Sequence, residues 1–408
     1  MERAISAAAS RPRSETAALY ALALGTFAVG TEGFMIAAIL PTISKSLSTS
    51  IQAAGQLVTI FALVYAVSSP VLTALTAGYR RRSLLIGSLA AFVVANLVAA
   101  VAPGYWALAG ARVLLALAAG LYVPNANALA GSLVAPERRG RALAIVNGGI
   151  TVAIAIGVPL GAFVGTHLGW RMTFVGVAVL AGFALAFLSF QLSSDIEGAR
   201  PATLRERFAL IGNPGVLATL ATTTIWAVAA YTVYTYVAPF LAASAGLTSS
   251  QTGLMLMLLG ASAVVGVTAG GIANDRFGAR LVQAVTLPLM ALAFAGLTVA
   301  SLLLAPRAVL AMVPLVVLWG LSAWGFFPSQ QDRLIRVTGV EHASVALSLN
   351  ASFMYVGFSL GAVLGSLVIS FTSIAWIGAA AAVCVVLAIA VSRLAWVSAE
   401  RGMPIHAL

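Results

Sequence analysis

Twelve apolar runs, each of about 20 residues, fill most of this 408-residue chain. Only 8% of its residues are charged, whereas a soluble protein carries about 25%. An apolar run of about 20 residues forms a helix long enough to cross the hydrocarbon core of a bilayer. The chain is therefore predicted to be an all-α polytopic membrane protein with 12 transmembrane helices. The predicted spans lie near residues 17–41, 52–78, 83–102, 105–133, 142–166, 171–192, 215–243, 251–272, 281–304, 308–331, 343–371 and 373–397.

The basic residues are distributed unequally between the two sides of these spans. Eighteen of the 22 Lys and Arg residues fall in tails and loops on the side of the N-terminus, and three fall on the opposite side. Because loops rich in Lys and Arg stay in the cytoplasm, both termini are predicted to be cytoplasmic. The net charge of +11 thus reflects topology. The scatter of the basic residues over seven segments argues against a nucleic-acid partner.

The two halves of the chain resemble one another. Gly55 and Gly253 occupy equivalent positions in the second and eighth spans, as do Pro124 and Pro328 in the fourth and tenth. Such matches predict two parallel six-helix repeats, the architecture of one large class of secondary transporters. The predicted parts are an N-terminal cytoplasmic tail at 1–16, a first bundle at 17–192, a cytoplasmic linker at 193–214, a second bundle at 215–397 and a cytoplasmic tail at 398–408.

One acidic residue, Glu32, lies inside a predicted span, while the other ten lie at the ends or in loops. A carboxylate at the centre of a spanning helix costs roughly 2.5–3.5 kcal/mol on insertion scales. Arg112 in the fourth span lies within about one turn of the same depth, at a rise of about 1.5 Å per residue. Desolvation favours the neutral acid and a guanidinium favours the carboxylate. The pair is therefore predicted to couple transport to protons, the alternative being a static structural ion pair.

Polar and aromatic side chains within the spans are candidates for contact with a substrate. Amides follow the prolines of the fourth and tenth spans, where they can satisfy a freed carbonyl or bind a polar molecule. Two tyrosines share one face of the seventh span, and aromatic rings with a polar tip suit drugs and sugars. The alternative for the amides is that they join neighbouring helices. The predicted substrate-binding residues are Asn125, Asn127, Asn147, Tyr231, Tyr234, Gln330, Gln331 and Asn350.

Metal and redox chemistry have no recognisable motif in the sequence. Cys384 is the only cysteine, and the three histidines are placed in loops or in a tail. A membrane-embedded enzyme would need a nucleophile with its base, or metal ligands, at bilayer depth. The chain is therefore expected to use no cofactor and not to be an enzyme.

Several segments are similar to the major facilitator superfamily, and within it to bacterial drug- and sugar-efflux proton antiporters. The resemblance covers roughly residues 17–397 and is most specific after the eighth span, in GGIANDRFGAR. TEGFM around Glu32, the arginine of the fourth span and GGITVAIAIGVPLGAFVG in the fifth also resemble this branch. The first-half copy of the signature loop, LTAGYRRR, lacks the aspartate. The resemblance implies gating roles for Asp275, Arg276, Arg280, Gly157, Pro159 and Gly161.

These observations predict a proton-coupled efflux antiporter that exports a small organic substrate, such as a drug or amphiphile, by alternating access. Glu32 would take a proton from outside and release it to the cytoplasm, and Arg112 would modulate this exchange because its own charge is permanent. The expected partners are the substrate, protons and the lipid bilayer, with the protein acting as a monomer. The alternatives are a sugar or nucleoside exporter, a uniporter or importer of the same fold, and a membrane sensor that does not transport.

Overall fold

The computed structural model describes residues 15–76, 78–192, 209–305 and 308–402, which form helices joined by short turns. Eleven helices in this part of the chain are long and apolar enough to cross a membrane. One of them, with 56 residues, contains both the eighth and the ninth predicted spans, so each of the 12 predicted spans coincides with a helical segment of the described residues. The N-terminal tail before residue 15, most of the linker and the end of the C-terminal tail lie outside the described residues.

Seven helices form the first six spans. They are α1 (Glu15–Ser46), α2 (Ile51–Leu75), α3 (Arg81–Ala100), α4 (Tyr105–Leu133), α5 (Arg139–Val152), α6 (Val158–His167) and α7 (Trp170–Gln191). The helices α5 and α6 make one span, because the residues between them, Ala153–Gly157, form a single wide turn of π-helix. Pro159 follows this turn and has no N–H to donate to the preceding turn. A wide turn at this place is a local irregularity of the kind that often marks functional sites.

Six helices form the second six spans. They are α8 (Pro214–Tyr234), α9 (Val237–Ala245), α10 (Ser249–Leu304), α11 (Val309–Thr338), α12 (Ala343–Phe371) and α13 (Ile377–Gly402). Local sequence signals set two of the starts. Asn213 caps α8 by accepting from the backbone N–H of Gly215 at 2.9 Å, and Thr248 opens α10 in a capping box with Gln251. The seventh span, predicted as one helix, is interrupted between α8 and α9 at Thr235 and Tyr236.

The described residues divide into two compact units. The first unit runs up to Ser50 and resumes at Val67, continuing to the end of α7. The second unit contains α8 to α13 together with Ile51–Ala66, the first part of α2. Within the second unit, Gly55 lies against the ring of Tyr236, so close that a Cβ would overlap it. The helix α2 therefore contributes to both units, which the sequence repeat did not predict.

Each unit uses glycines to bring its first span close to its fifth. In the first unit, Gly157 and Gly161 lie against Thr31 and Met35 of α1. In the second, glycines of α12 lie against α8 in the same way; they are Gly357, Gly361 and Gly365. Small residues let helix backbones approach closely inside a membrane, where packing rather than water drives association. The two units thus repeat one packing pattern, as expected from the matched glycines of the two halves.

Gly278 divides α10 into the eighth and ninth spans. Its φ of 78° and ψ of 159° lie in a region that only glycine adopts without strain. We expect Gly278→Ala to lower the free energy of unfolding by about 1–3 kcal/mol. Gly271→Ala is the matched control, because Gly271 is helical in the same α10 and a Cβ there would meet no atom within 4 Å. Thermal unfolding in detergent compares the two variants, and equal midpoints would contradict the strain at Gly278.

Candidate functional site

A buried ion pair joins α1 and α4 in the first unit. Arg112 Nη1 donates to Glu32 Oε1, and neither side chain has any exposed surface. The two residues that the sequence placed at one depth are therefore in direct contact. Bringing two charges out of water is costly, and their attraction offsets that cost only where geometry is good. Such a pair within apolar helices is sensitive to the loss of either charge.

The second oxygen of Glu32 is where the pair is incomplete. Within the described part of the chain, Oε2 of Glu32 is buried and has no hydrogen-bond partner. A buried carboxylate oxygen that accepts no hydrogen bond raises the free energy of the folded protein. A protonated carboxyl carries no charge, so burying it in the same surroundings costs less. The geometry therefore allows Glu32 to exist either as a carboxylate paired with Arg112 or as a neutral acid. This is the chemical requirement for a proton carrier.

The fifth span packs closely against α1, the helix that carries Glu32. Gly149 lies against Thr26, six residues before Glu32. Gly157 lies against Thr31, next to Glu32 itself, and Gly161 lies against Met35. A Cβ on Gly149 or Gly157 would overlap the threonine opposite. These glycines of the fifth span therefore set the distance between α1 and the π-helical turn.

This close contact predicts the effect of a single methyl group. Gly157→Ala should lower the free energy of unfolding by about 1–3 kcal/mol, the usual cost of adding a methylene to a packed interior. Gly148→Ala is the matched control in the same span, since a Cβ at Gly148 would meet nothing within 4 Å. Thermal unfolding in detergent measures both variants. If they unfold at the same temperature, the close packing of Gly157 against α1 is contradicted.

Two predicted substrate-binding amides face each other across α4 and α5. Asn147 Nδ2 donates to Asn127 Oδ1 at 3.0 Å, and Asn127 Nδ2 donates back to Asn147 Oδ1 at 3.3 Å. Asn147 is exposed and Asn127 is partly buried. Asn125 differs, because it is buried and its Oδ1 accepts from Arg81 Nη1 while its Nδ2 donates to a backbone carbonyl. Of these three amides, Asn127 and Asn147 are the two whose residues keep exposed surface.

Gln330 and Asn350 belong to a buried polar network in the second unit. Gln330 Nε2 donates to Thr223 Oγ1 at 3.0 Å, and Thr223 Oγ1 donates to Asn350 Oδ1 at 2.7 Å. Gln330 Oε1 accepts from Gln283 Nε2 at 3.0 Å. These bonds link α8, α10, α11 and α12. The arrangement is the interhelical alternative considered for the amides, and it occupies both side chains. Gln331 is partly buried and makes no hydrogen bond to a described residue.

The predicted tyrosines of α8 lie among aromatic rings that the sequence did not single out. Tyr231 stacks on Phe358 with ring centroids 3.7 Å apart, and Phe358 lies 5.2 Å from Tyr355. Tyr355 in turn stacks on Tyr65 at 3.8 Å. We call Tyr65, Tyr231, Tyr355 and Phe358 the aromatic cluster. Tyr234 extends it towards Trp319, at 6.4 Å. Its members come from α2, α8 and α12, so their proximity has no local sequence signal.

The predicted gating residues of the signature loop are exposed. Asp275, Arg276 and Arg280 all lie at the surface around Gly278. Among the described residues, Asp275 forms no ion pair, so this structure contains no salt-bridge latch at that aspartate. In the first-half copy, Arg82 donates instead to backbone carbonyls at the end of α7, at 2.9 Å to Leu192 and 3.1 Å to Ser189. That arginine stabilises a helix C-terminus.

Two repeated bundles of apolar spanning helices, one of which encloses an ion pair, define a multi-pass membrane transporter. Residues 22–362 match the Major Facilitator Superfamily, and the chain belongs to this family of transporters.

Individual relatives agree with this assignment. The chain is 34% identical over 352 residues to the inner membrane transport protein YdhP of Escherichia coli (strain K12), covering 86% of this chain and 88% of that protein. It is 33% identical over 359 residues to a chloramphenicol resistance protein of Streptomyces lividans, and the match covers 87% of this chain and 88% of that protein. The same fold is found in the inward-facing, unoccupied crystal structure of a bacterial homologue of the human lysosomal transporter Spinster. The TM-score is 0.72 at 18% identity, and the match covers 93% of this chain and 96% of that one.

Proposed function

We propose that this transporter is a proton-coupled antiporter that exports small amphiphilic organic molecules across a bacterial inner membrane, with Glu32 as its proton carrier. The observation that carries the proposal is the ion pair of Glu32 and Arg112, enclosed without exposed surface among apolar helices. Ionisable groups inside a membrane are costly and usually serve a function. Glu32 is the only acidic residue within a predicted span, so no other carboxyl at that depth competes for the role.

Protonation changes the contact between α1 and α4. As a carboxylate, Glu32 balances the charge of Arg112, and the two helices are held together by a charge-assisted hydrogen bond. As a neutral acid, it leaves the guanidinium without its counter-charge, which favours a different packing of α1. Because a proton and a substrate favour different conformations, each lowers the affinity for the other, which is the requirement for exchange. A cytoplasm that is negative and alkaline would then drive export.

The aromatic cluster favours a flat aromatic substrate with polar substituents. Tyr355 is only partly buried, and its ring meets the ring of Phe358 edge-on, beside the stack formed by Tyr231 and Phe358. Aromatic rings of this kind bind other rings by offset stacking while a phenolic hydroxyl offers a hydrogen bond. The similarity to a chloramphenicol resistance protein makes chloramphenicol the first substrate to test.

Sugars or nucleosides are the second candidate substrate class. The pair of Asn127 and Asn147, of which Asn147 is exposed, is the observation that favours them, because amides can both donate to and accept from hydroxyl groups. The two classes differ in which surface they need. A substrate that depends on the aromatic cluster would be a drug-like molecule, and one that depends on the amide pair would be a polyol.

Proton movement into proteoliposomes tests the proposed function. The purified protein is reconstituted with an internal pH dye, and chloramphenicol, a sugar panel and a nucleoside panel are added in turn. We expect chloramphenicol to trigger proton movement that protein-free liposomes lack. A response to sugars or nucleosides alone would contradict a drug-like substrate and favour the second substrate class. Transport without proton movement would contradict antiport and favour a uniporter, and binding without transport would indicate a sensor.

A further inference from the structure

A cleft of about 250 Å³ opens between the second part of α10 and the end of α13, within the second unit. Two arginines line it, Arg280 at the start of the ninth span and Arg393 near the end of the twelfth. Both side chains are exposed. None of the residues that line the cleft is acidic. We call this feature the basic cleft.

A third arginine lies behind the cleft and is held firmly. Arg333 is buried; its Nη1 donates to Ser392 Oγ at 3.1 Å and to Gln283 Oε1 at 3.4 Å. Its guanidinium also lies 4.5 Å from the ring centre of Trp396. Gln283, Ser392 and Trp396 themselves line the cleft. These three residues therefore form a wall of the cleft that contacts Arg333, and the positive charge of Arg333 lies behind this wall.

The inner end of the cleft is apolar. Leu287, Pro288 and Ile389 line it below the arginines. Both helices carry exposed apolar side chains along the cleft and beyond its inner end, at Leu281, Val285 and Leu292 on α10 and at Val383, Val386 and Leu387 on α13. In a spanning helix, exposed apolar side chains form the surface that meets the acyl chains of lipids. The basic cleft thus joins a cationic mouth to the lipid-facing surface.

We propose that the basic cleft binds an anionic phospholipid, with the phosphate of its headgroup at Arg280 and Arg393. The acyl chains follow the apolar wall onto the exposed face of α10 and α13. Guanidinium groups bind phosphate in a bidentate manner and are suited to such sites. Basic pockets at the ends of spanning helices bind the headgroups of anionic lipids by the same chemistry. A soluble anion would use the arginines but would leave the apolar wall uncovered.

Bound lipid would also stabilise the interior of the second unit. Gln283 lines the cleft and donates to Gln330, which in turn donates to Thr223 of α8. A headgroup in the cleft therefore contacts one end of a hydrogen-bonded chain that crosses three helices. This connection predicts that lipid binding raises the unfolding temperature of the whole protein, since a ligand that binds only the folded state stabilises it.

Native mass spectrometry and thermal unfolding of the full-length protein in detergent test the proposal. The probes are dioleoyl phosphatidylglycerol, dioleoyl phosphatidylcholine and inorganic phosphate. We expect phosphatidylglycerol alone to be retained and to raise the unfolding temperature. The double variant R280Q/R393Q should bind it roughly 30-fold more weakly, since each arginine near an anionic lipid contributes about fivefold. Arg276→Gln is the matched control, an exposed arginine that does not line the cleft, and should change binding less than twofold.

Three outcomes would overturn the proposal. Equal retention of phosphatidylcholine would mean that only the apolar wall binds lipid. Equal stabilisation by inorganic phosphate would mean a site for a free anion. Undiminished binding of phosphatidylglycerol by the double variant would place the lipid elsewhere. If the double variant does not fold, the single variant Arg393→Gln gives the same comparison, with an expected loss of roughly fivefold.

Discussion

Replacing Glu32 with glutamine should reduce substrate-triggered proton movement to the level of protein-free liposomes. Glutamine keeps the size of the side chain and can still accept a hydrogen bond from Arg112 through its amide oxygen, but it cannot gain or lose a proton. Because Glu32 is the only carboxyl at this depth, no neighbouring acid can replace it. Substrate binding should survive, since the aromatic cluster lies on other helices. The measurement is the internal pH of proteoliposomes after addition of chloramphenicol.

Glu15→Gln is the matched control for this experiment. Glu15 lies at the start of the same helix α1, where its exposed carboxylate lies 3.3 Å from Arg138. Exposed ion pairs of this kind contribute little to stability, and the group is outside the apolar part of the helix. Its loss should leave proton movement within about twofold of that of the native protein, because an exposed ion pair contributes at most about 1 kcal/mol to stability. Undiminished proton movement in Glu32→Gln would exclude Glu32 as the carrier.

Replacing Arg112 with leucine should have the largest effect on stability. The substitution removes the partner of Glu32 and leaves a carboxyl group without exposed surface beside apolar side chains. Removing one partner of a buried ion pair typically costs about 3–5 kcal/mol, because the remaining charge is uncompensated. The double variant E32Q/R112L should recover most of this loss, since a neutral pair removes the uncompensated charge. Thermal unfolding in detergent of the native protein, both single variants and the double variant measures the coupling.

The comparison of the single variants with the double variant also separates the effect on stability from the effect on transport. If the pair served only to hold α1 against α4, the stable double variant would still move protons with substrate. We expect it to be stable and inactive in proton movement, because neither remaining side chain can exchange a proton. Strictly additive effects of the two substitutions would contradict a direct interaction, since residues in contact show coupling of about 0.5–3 kcal/mol.

The membrane class and the central pair were predictable because they depend on local composition and on simple helix geometry. The length of each apolar run determines whether it crosses a bilayer, and each of the 12 predicted spans coincides with a helical segment of the described residues. The depth of Glu32 and Arg112 follows from counting residues along two helices at about 1.5 Å each. The structure places these two side chains in contact, as the equal depths suggested. The gating roles of Asp275 and Gly157 stay predictions.

The roles of the remaining polar residues could not be read from spacing. Asn125 and Gln330 both follow a proline by one or two positions. In the structure, Asn125 is hydrogen-bonded to Arg81 and Gln330 is hydrogen-bonded to Gln283. In each case the partner lies more than 40 residues away along the chain. A sequence pattern shows that a side chain is polar and at what depth it lies. It does not show which neighbour satisfies it, because that depends on how helices pack.

The sequence by itself determined that this protein has 12 apolar spans in two related halves and one acid at bilayer depth. The spans and the depth of the acid depend on residues close together in the chain, and the halves are recognised by comparing equivalent positions of one with the other. The tertiary structure decided the rest. It placed Tyr65 of α2 against Tyr355 of α12 and joined Arg280 and Arg393 in one cleft. Both arrangements bring together residues more than 100 positions apart, and only the packing of helices can determine which of them meet.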